Sequence, residues 1–475
     1  MDTKALRQKI LDLAIHGKLV PQDPNDEPAS VLLERIKAEK ERLIKEGKIK
    51  RSKKSAKSSD TPHYENVPFE LPNSWVWCRL EDIAYVASGS TPDKTCFVEN
   101  GVPYIKMYNL RNQKIDFAYH PQYITEEVHN GKLQRSRTEV GDLIMNIVGP
   151  PLGKLAIIPT TLPQANFNQA AVLIRPYKFK EVLVSYLKVY LEEMSEINSI
   201  ATRGSAGQVN ISLTQSQNMR IPIPPLNEVR RIIEEVSKYD ILIDSLKQNI
   251  TDIQNLIAYT KSKILDLAIH GKLVPQDPND EPAIELLKRI NPDFTPCDNG
   301  HYPVGWIETI LGELFSHNTG KALNSSNKEG LFKDYLTTSN VYWNKFDFTA
   351  IKQMPFKESE LNKCTVTKGD LLVCEGGDIG RSAIWNYDYD ICIQNHIHRL
   401  RPKIDLCVPF YYYTFAYLKE NNLIGGKGIG LLGLSSNALH KIEMPLPPLA
   451  EQQRIVQKIE ELFSVLDNIQ NALEV

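Results

Sequence analysis

The residues that could make or break bonds do not form a complete catalytic set in this sequence. Residues 149–154, GPPLGK, are one residue short of a phosphate-binding loop, and the next residue is Leu rather than Ser or Thr. Residues 291–294, NPDF, lack the second proline of the amino-methyltransferase motif, and no Phe-x-Gly-x-Gly motif is present to hold S-adenosylmethionine. Pro92-Asp93-Lys94 has no separated acidic-x-Lys partner with which to bind a nuclease metal. We therefore predict that the chain is not an enzyme.

The cysteines and histidines likewise lack the spacing of a metal site. The seven cysteines form no CxxC or CxxH pair, which argues against a zinc site and against a disulfide framework. No Cys or second His stands at ligand spacing from His16 or His270, and we expect both histidines to be structural residues near the ends of their helices. We expect reduced core thiols and no metal on this chain.

Side chains suited to reading base edges occur in two matching stretches. YIKMYNLRNQKIDF at 104–117 aligns with YLTTSNVYWNKFDF at 335–348, and all five identities keep an offset of 231 residues. Gly-Asp-Leu at 141–143 and 369–371, and Arg-Pro at 175–176 and 401–402, recur as well, so the two segments share one fold. Between the shared positions the side chains differ, as expected of residues that read different bases, although neutral drift of a surface loop would also produce such differences.

Other polar stretches extend this set of candidates. The glycine-rich turns at 149–154 and 376–381 could bring backbone amides to a phosphate, but a tight hairpin explains them equally well. Residues 166–169, 203–210 and 394–396 are rich in amides. The candidate DNA-binding residues are Lys106, Tyr108, Asn109, Arg111, Asn112, Lys154, Gln169, Arg203, Gln208, Thr337, Ser339, Asn340, Tyr342, Trp343, Arg381, Asn395, His396 and Lys427.

The elements that must position these residues are themselves duplicated. KILDLAIHGKLVPQDPNDEPA occurs unchanged at Lys9–Ala29 and Lys263–Ala283, an offset of 254 residues. IPIPPLNEVRRI at Ile221–Ile232 returns as MPLPPLAEQQRI at Met444–Ile455, an offset of 223. The copies are therefore circularly permuted, which predicts a closed pseudo-two-fold arrangement with the two termini near each other.

A long helix is predicted to follow each Pro-Pro-Leu motif. From Val229 to Leu267 apolar residues recur at alternating steps of three and four, with Thr260 as the polar exception, which is the pattern of a coiled-coil seam. The C-terminal segment repeats the pattern, and Leu6, Ile10 and Leu13 offer a shorter version. We predict a helix of about 40 residues, about 60 Å long, that begins near Leu226 and ends at a glycine cap.

The charge of the chain opposes a simple nucleic-acid-binding hypothesis. The net charge is −2, and residues 68–225 carry 15 basic and 14 acidic side chains while residues 303–448 carry 15 of each. The basic run at 48–57 has the composition of a solvated linker. DNA affinity would then require one-sided charge or a partner subunit. Without an apolar run of about 18 residues or a signal pattern, we expect a cytoplasmic protein.

Together, the PPLNEVRRI and PPLAEQQRI motifs, the permuted duplication and the KLVPQDPNDEPA block resemble the specificity subunit of type I restriction-modification systems. The first copy departs from the usual Glu-Gln by reading Asn227-Glu228-Val229. The resemblance implies an α+β fold with two mixed α/β target-recognition domains separated by long antiparallel coiled-coil helices. The implied boundaries are 1–61, an N-terminal helix and linker; 62–225, the first domain; 226–296, central helices; 297–448, the second domain; and 449–475, the C-terminal helix.

The resemblance also implies a function and partners. Each recognition domain would read one half of a bipartite DNA site, and the helices would set the gap between the halves. Two methyltransferase subunits would bind the chain, and two restriction-translocase subunits could join them. S-adenosylmethionine, ATP and Mg²⁺ would belong to those partners. The absence of a basic face favours an alternative, a structural adaptor that binds proteins instead of DNA.

Overall fold

A computed structural model describes residues 2–51, 67–149, 152–193, 210–295, 301–323, 329–424 and 434–474. The chain divides into two compact units, residues 2–248 and 249–475, which we call the N-terminal and C-terminal units. Their boundary falls within one continuous helix. No helix within the described ranges is long and apolar enough to cross a membrane.

The N-terminal unit contains one copy of each repeated sequence element. Its helices are α1 Thr3–Ile15, α2 Ala29–Lys45, α3 Leu80–Ile83, α4 Glu126–Asn130, α5 Lys180–Glu193, α6 Leu213–Gln217 and the first part of α7 Leu226–Ile269. Its strands are β1 Val76–Arg79, β2 Ala84–Ser88, β3 Phe97–Val98, β4 Val102–Ile105, β5 Leu110–Arg111, β6 Lys114–Ile115, β7 Tyr123–Ile124, β8 Leu143–Asn146, β9 Leu155–Ile157, β10 Asn166–Phe167, β11 Ala171–Pro176 and β12 Arg220–Ile223.

The C-terminal unit contains the second copy. After the remainder of α7, its helices are α8 Ala283–Lys288, α9 Leu311–Leu314, α10 Glu358–Cys364, α11 Val408–Glu420, α12 Ser436–His440 and α13 Leu449–Glu474. Its strands are β13 Ile307–Ile310, β14 Phe315–Thr319, β15 Leu331–Leu336, β16 Val341–Tyr342, β17 Lys345–Phe346, β18 Lys352–Phe356, β19 Thr365–Val366, β20 Leu371–Cys374, β21 Ser382–Ile384, β22 Ile391–Ile393, β23 Ile397–Pro402 and β24 Glu443–Leu446.

The two units share most of their sheet topology, which confirms the prediction of one duplicated fold. A four-stranded sheet has the order β2-β11-β8-β9 in one unit and β14-β23-β20-β21 in the other. A two-stranded ribbon, β1-β12 or β13-β24, leads into the Pro-Pro-Leu helix. The second sheets differ, with orders β10-β4-β7-β3 and β18-β15-β22-β19, but both keep one parallel pair, β4 with β10 and β15 with β22.

The short anchors that recur in the sequence form an ion pair with a buried aspartate in each unit. Arg175 on β11 donates two hydrogen bonds, of 2.9 and 2.6 Å, to the carboxylate of Asp142 at the start of β8. Arg401 makes the same fork with Asp370, at 2.7 and 2.6 Å. Both aspartates are buried, so the fork fixes the two central strands of the first sheet against each other.

The long helix predicted from the three-four spacing is confirmed as α7, with 44 residues. It begins directly after Pro224-Pro225 and ends before His270-Gly271, where Gly271 has a φ of +66°. The equivalent Gly17 after α1 has a φ of +65°, so both predicted glycine caps are present. Buried residues of α7 lie at its two ends, and residues 244–256 include none.

Antiparallel helix pairs form within each unit. Arg7 on α1 is 2.9 Å from Asp240 on α7, while Gln22, after α1, contacts Glu228 at the start of α7. In the C-terminal unit Lys261 contacts Asp467 on α13, and Gln276 contacts Glu451 at the start of α13. The order of these contacts shows that each Pro-Pro-Leu helix runs against the helix of the 21-residue repeat.

A junction that is repeated in both units connects the helices of each unit to its sheets. We call Gln22, Asp26, Trp75, Glu228 and Arg231 the N-terminal joint. The indole Nε1–H of Trp75 donates to Glu228 at 3.0 Å, Gln22 donates to the other carboxylate oxygen, and Arg231 donates to Asp26 at 2.6 Å. Burial raises the pKa of the Glu228 carboxyl, and the hydrogen bonds from Trp75 and Gln22 partly offset that effect.

The C-terminal joint consists of Gln276, Asp280, Trp306, Glu451 and Arg454 and has the same geometry. Trp306 and Gln276 donate to Glu451 at 2.9 and 2.8 Å, and Arg454 donates to Asp280 at 2.6 Å. Glu228 and Glu451 are each only 1% exposed. Three repeated elements with offsets of 254, 231 and 223 residues therefore meet in the same way in both units.

Candidate nucleic-acid interface

Each unit brings the described members of its predicted DNA-binding set toward the edge where its parallel strand pair ends. The N–H of Asn168, after β10, donates to the carbonyl of Ile105 at the end of β4. In the C-terminal unit the N–H of Gln394, after β22, donates to the carbonyl of Leu336 at the end of β15. The loops that begin at Lys106 and Thr337 therefore lie beside the amide-rich stretches at 168–169 and 394–396.

An asparagine shapes the first loop of each unit. The side chain of Asn109 accepts from the Lys106 N–H at 2.9 Å and donates to the carbonyl of Asp116 at 3.1 Å. Asn340 does the same with Thr337 and Asp347, at 2.8 and 2.9 Å. These contacts hold the 3₁₀ turns Met107–Asn109 and Thr338–Asn340.

Three of the candidate residues are buried in this arrangement, namely Asn109, Thr337 and Asn340. The Thr337 hydroxyl is also used locally, 2.7 Å from the Ser339 hydroxyl and 2.8 Å from the Asn340 side-chain oxygen. A direct DNA contact from any of these three would require its turn to open. The identity of Asn109 and Asn340 in the two copies therefore reflects loop architecture.

A short hairpin joins each loop to the glycine-rich turn. In the N-terminal unit Asn112 and Gln113 have φ values of +48° and +57°, and the Gln113 side chain accepts from the Leu155 N–H at 2.8 Å. In the C-terminal unit the N–H of Asn344 donates to Ser382, and the Arg381 guanidinium donates to the Thr338 carbonyl. The hairpins thus place Lys154 and Arg381 beside the predicted reading loops.

These segments form one surface in each unit. We call residues 106–114, 152–155 and 168–169 the N-terminal loop cluster, and residues 337–345, 380–382 and 394–396 the C-terminal loop cluster. The exposed candidate residues in them are Arg111, Asn112, Gln169, Ser339, Tyr342 and His396. The half-buried ones are Lys106, Tyr108, Lys154, Trp343, Arg381 and Asn395. Arg203, Gln208 and Lys427, and most of the basic run at 48–57, lie outside the described residues.

The cations of the loop clusters are held against aromatic rings. The Arg111 guanidinium lies 4.1 Å from the centre of the Tyr119 ring and 3.7 Å from the Asp116 carboxylate. Lys106 lies 5.6 Å from the Phe97 ring, and Arg381 lies 5.0 Å from the Tyr342 ring. Such stacking limits the freedom of a cation and still leaves part of it available to an anion.

The last two residues of each glycine-rich turn use their amides within the turn or its adjoining strand. The N–H groups of Gly153 and Lys154 donate to the Asn146 carbonyl and side-chain oxygens. Those of Gly380 and Arg381 donate to the carbonyls of Cys374 and Asp378. These four amides therefore do not form a free phosphate cradle, and the hairpin alternative is the better description of this part of each turn.

The sequence comparison missed Thr91, which contacts the N-terminal loop cluster, and Arg135, which contacts the residue before Thr91. Thr91 is hydrogen-bonded to Gln169 and also lies 3.2 Å from the Tyr104 hydroxyl. The exposed Arg135 donates to the Ser90 hydroxyl at 2.9 Å. Neither Thr91 nor Arg135 belongs to a repeated stretch, so the comparison of the two copies gave no signal for them.

An open cleft borders the same cluster. It has a volume of about 440 Å³, and the side chains that line it include Lys94, Phe97, Lys106, Gln122 and Tyr123. The lining also includes the carboxylate of Glu99. The two ammonium groups could attract the phosphates of a nucleic acid, and the rings could pack against its sugars.

Cysteine and histidine contribute to the core of these units. Cys78, Cys374 and Cys392 are buried free thiols, and burial raises the pKa of Cys392 to about 11. In the C-terminal unit His317 Nε2 lies 2.7 Å from His398 Nδ1, and the His440 ring packs beside His317. Within the described ranges, no group of three or more His, Cys, Asp or Glu side chains could hold a metal ion.

Comparison with known proteins identifies the family. The family model described as the type I restriction modification DNA specificity domain matches residues 72–255 and 303–475, which is most of the chain. The chain belongs to this family. The resemblance inferred from the repeats is therefore confirmed, and each matched span contains one Pro-Pro-Leu motif.

Relatives within the family match over nearly the whole chain. The specificity subunit of the type I restriction enzyme EcoEI from Escherichia coli is 28% identical, with coverage of 99% of this chain and 91% of the relative. The EcoAI specificity subunit from Escherichia coli is 27% identical, with coverage of 98% and 90%. The crystal structure of the HsdS subunit from Thermoanaerobacter tengcongensis is 20% identical and covers 85% of this chain and 93% of that one, with a TM-score of 0.51. That likeness confirms the predicted fold of two domains with long helices.

Proposed function

We propose that this specificity subunit recognises a bipartite, asymmetric site in double-stranded DNA, with one loop cluster reading each half. The observation that supports this proposal is the contrast between scaffold and surface. The two units share their turns, anchors and joints, whereas the exposed or half-buried loop residues differ: Arg111 and Asn112 in one copy align with Tyr342 and Trp343 in the other. Side chains with different donors, acceptors and rings select different bases, so two unlike halves are expected.

We further propose that partner subunits perform the chemistry. Two methyltransferase subunits would bind this chain, flip the target adenine and methylate it with S-adenosylmethionine. Two restriction-translocase subunits could add ATP- and Mg²⁺-dependent cleavage. The incomplete motifs at 149–154 and 291–294 support a non-catalytic role for this chain. Methyl transfer by the purified chain alone would contradict it.

The near-neutral charge of the chain agrees with a role in which partner subunits contribute part of the DNA binding. Phosphate contacts supply most of the salt-dependent affinity of a DNA-binding protein, and lysine and arginine make them. Neither unit has a substantial excess of basic over acidic side chains. Partner subunits that close around the DNA would supply those contacts. The loop clusters would then contribute base selection more than affinity.

Matched variants of the two loop clusters test the proposal. Arg111→Ala with Gln169→Ala alters the N-terminal cluster, and Tyr342→Ala with His396→Ala alters the C-terminal cluster; all four residues are exposed. The methylation specificity of each assembled complex is mapped on a library of randomised sites. We expect each pair to relax one half-site by roughly 10- to 100-fold and to leave the other unchanged, because a base contact contributes about 1–3 kcal/mol of discrimination.

Two outcomes would contradict the proposal. Equal loss at both half-sites would show that the loops do not read separate halves. Unchanged specificity in both variants would favour the structural-adaptor alternative, in which the loop clusters bind protein and sequence selection lies elsewhere in the complex.

A further inference from the structure

The two joints offer the strongest observation that DNA reading by the loops leaves unexplained. In each unit a loop of the 21-residue repeat, a tryptophan at the entrance to the recognition domain and the first turns of the Pro-Pro-Leu helix meet through buried hydrogen bonds. The same geometry is produced twice from elements with three different sequence offsets.

Duplication alone does not account for this repetition. The 21-residue repeat is unchanged along its whole length, so identity within it shows only a common origin. Its partners lie in stretches that have diverged, since Trp75 stands in NSWVW where Trp306 stands in VGWIE. Glu228 and Arg231 likewise persist where LNEVRRI has become LAEQQRI. Trp75, Glu228 and Arg231 of the joint are therefore among the residues that survive in these diverged stretches.

The hydrogen bonds of the joint constrain the direction in which its elements meet. A buried carboxylate is not needed for stability, because well-packed apolar residues commonly stabilise a core as well as or better than a buried polar pair does. Hydrogen bonds to a buried group, by contrast, fix one angle between the elements that they connect. Glu228 and Glu451 each receive two such bonds from two different elements.

The remaining connections at the joint leave little other freedom. Strand β12 and α7 are separated only by Pro224-Pro225, and β24 and α13 only by Pro447-Pro448, whose φ angles are fixed by their rings. A Cβ on Gly17 would lie 2.6 Å from a ring carbon of Pro72, and one on Gly271 would lie 2.4 Å from a ring carbon of Pro303. The helix cap and the domain entrance are thus in close contact in both units.

We propose that the two joints are positioning elements that set the angle between each recognition domain and its helix, and thereby select the spacer length between the two half-sites. This inference rests on the proposed function, because a spacer exists only if two half-sites are read. The joint residues would contribute to specificity without touching DNA. One base pair moves a half-site by about 3.4 Å along the axis and rotates it by about 35°, so a fixed angle discriminates between spacers.

Matched variants in the two joints test this inference in the assembled methyltransferase complex. Gln22→Ala changes an exposed residue and removes one hydrogen bond to Glu228, and Trp75→Phe keeps a ring but removes the indole donor. Gln276→Ala and Trp306→Phe are the equivalent substitutions in the C-terminal joint. Methylation is measured on DNA that carries the native half-sites with spacers from three base pairs shorter to three longer, and thermal melting reports folding.

We expect the wild type to prefer one spacer. Each variant should lose roughly tenfold of its discrimination against spacers one base pair longer or shorter, with both half-site sequences still required, and a double variant in both joints should lose more. If Trp75→Phe fails to fold, the exposed Gln22→Ala variant decides the question.

Other outcomes overturn the inference. An unchanged spacer preference in Gln22→Ala, with or without a lower melting temperature, would show that the joint does not set the spacer and contributes at most to stability. Loss of base preference in one half-site would show that the joint shapes a loop cluster instead of an angle. A wild-type complex that methylates regardless of half-site sequence would instead refute the proposed function itself.

Discussion

Lengthening α7 tests directly whether this helix sets the spacing of the two half-sites. Residues 244–256 of α7 include no buried side chain, so an insertion between Gln248 and Asn249 leaves the buried contacts at both ends of the helix in place. Four residues add about 6 Å and a net rotation of about 40°. One base pair corresponds to about 3.4 Å and 35°, and two to about 6.8 Å and 70°. We therefore expect the preferred spacer to grow by one to two base pairs.

Two further insertions at the same position separate length from rotation. A heptad adds about 10.5 Å but rotates the helix by only about −20°, whereas three base pairs add about 10 Å and rotate DNA by about 105°. We expect a shift of three base pairs with weaker methylation, because the rotation is not matched. Two residues add about 3 Å and rotate the following segment by about 200°, and we expect no spacer to restore methylation.

The assay is methylation of a spacer-length series by each assembled complex, with circular dichroism to confirm that the helix has lengthened. A four-residue insertion that folds, methylates and still prefers the native spacer would refute the reasoning. So would a two-residue insertion with full activity, since no rigid helix could tolerate that rotation.

Two further predictions concern the stability of the units. Replacing Asp142, or its counterpart Asp370, with asparagine should lower the free energy of unfolding by about 2 kcal/mol, because each change removes the buried carboxylate that a half-buried arginine binds. Denaturant titration measures this loss, and a loss below about 1 kcal/mol would contradict a structural role for the fork. In the C-terminal unit, burial and then the nearby His398, His440 and Arg399 lower the pKa of His317 to about 4. The unfolded chain therefore binds a proton that the folded chain excludes, and the stability present above about pH 6.5 should be lost as the pH falls toward 4, by about 1–2 kcal/mol for a half-buried ring. Valine is a suitable replacement for His317, because Val86 occupies the equivalent position in the N-terminal unit. Thermal melting across this pH range should show a smaller fall in melting temperature for His317→Val than for the wild type. Equal falls in the variant and the wild type would show that His317 does not cause the loss of stability.

The loop clusters illustrate the limits of comparing the two copies. Offsets of 231 residues correctly aligned the loops at 104–117 and 335–348, because a shared backbone requires shared turn residues. The comparison did not distinguish exposed residues such as Arg111 from buried ones such as Asn109, since both have side chains that could read a base. Burial depends on which loops pack together, and that is not encoded in the type of a single residue.

The glycine-rich turns illustrate the same point for the backbone. Their composition was compatible with a phosphate site and with a hairpin, because glycine permits both conformations. The hydrogen bonds from the amides of Gly153 and Gly380 to their own strands favour the hairpin for the last residues of each turn. Which donor is free is a property of the folded chain.

The sequence by itself determined the duplication, the permuted order, the extent of α7 and the family. These features depend on repetition and periodicity along the chain, which remain visible without knowledge of contacts. Only the tertiary structure decided what the repeated residues do, because a joint such as Gln22, Trp75 and Glu228 unites positions up to 206 residues apart. The members of the junction belong to three repeats with different offsets, so no single sequence alignment places them together. Packing alone brings them within hydrogen-bonding distance.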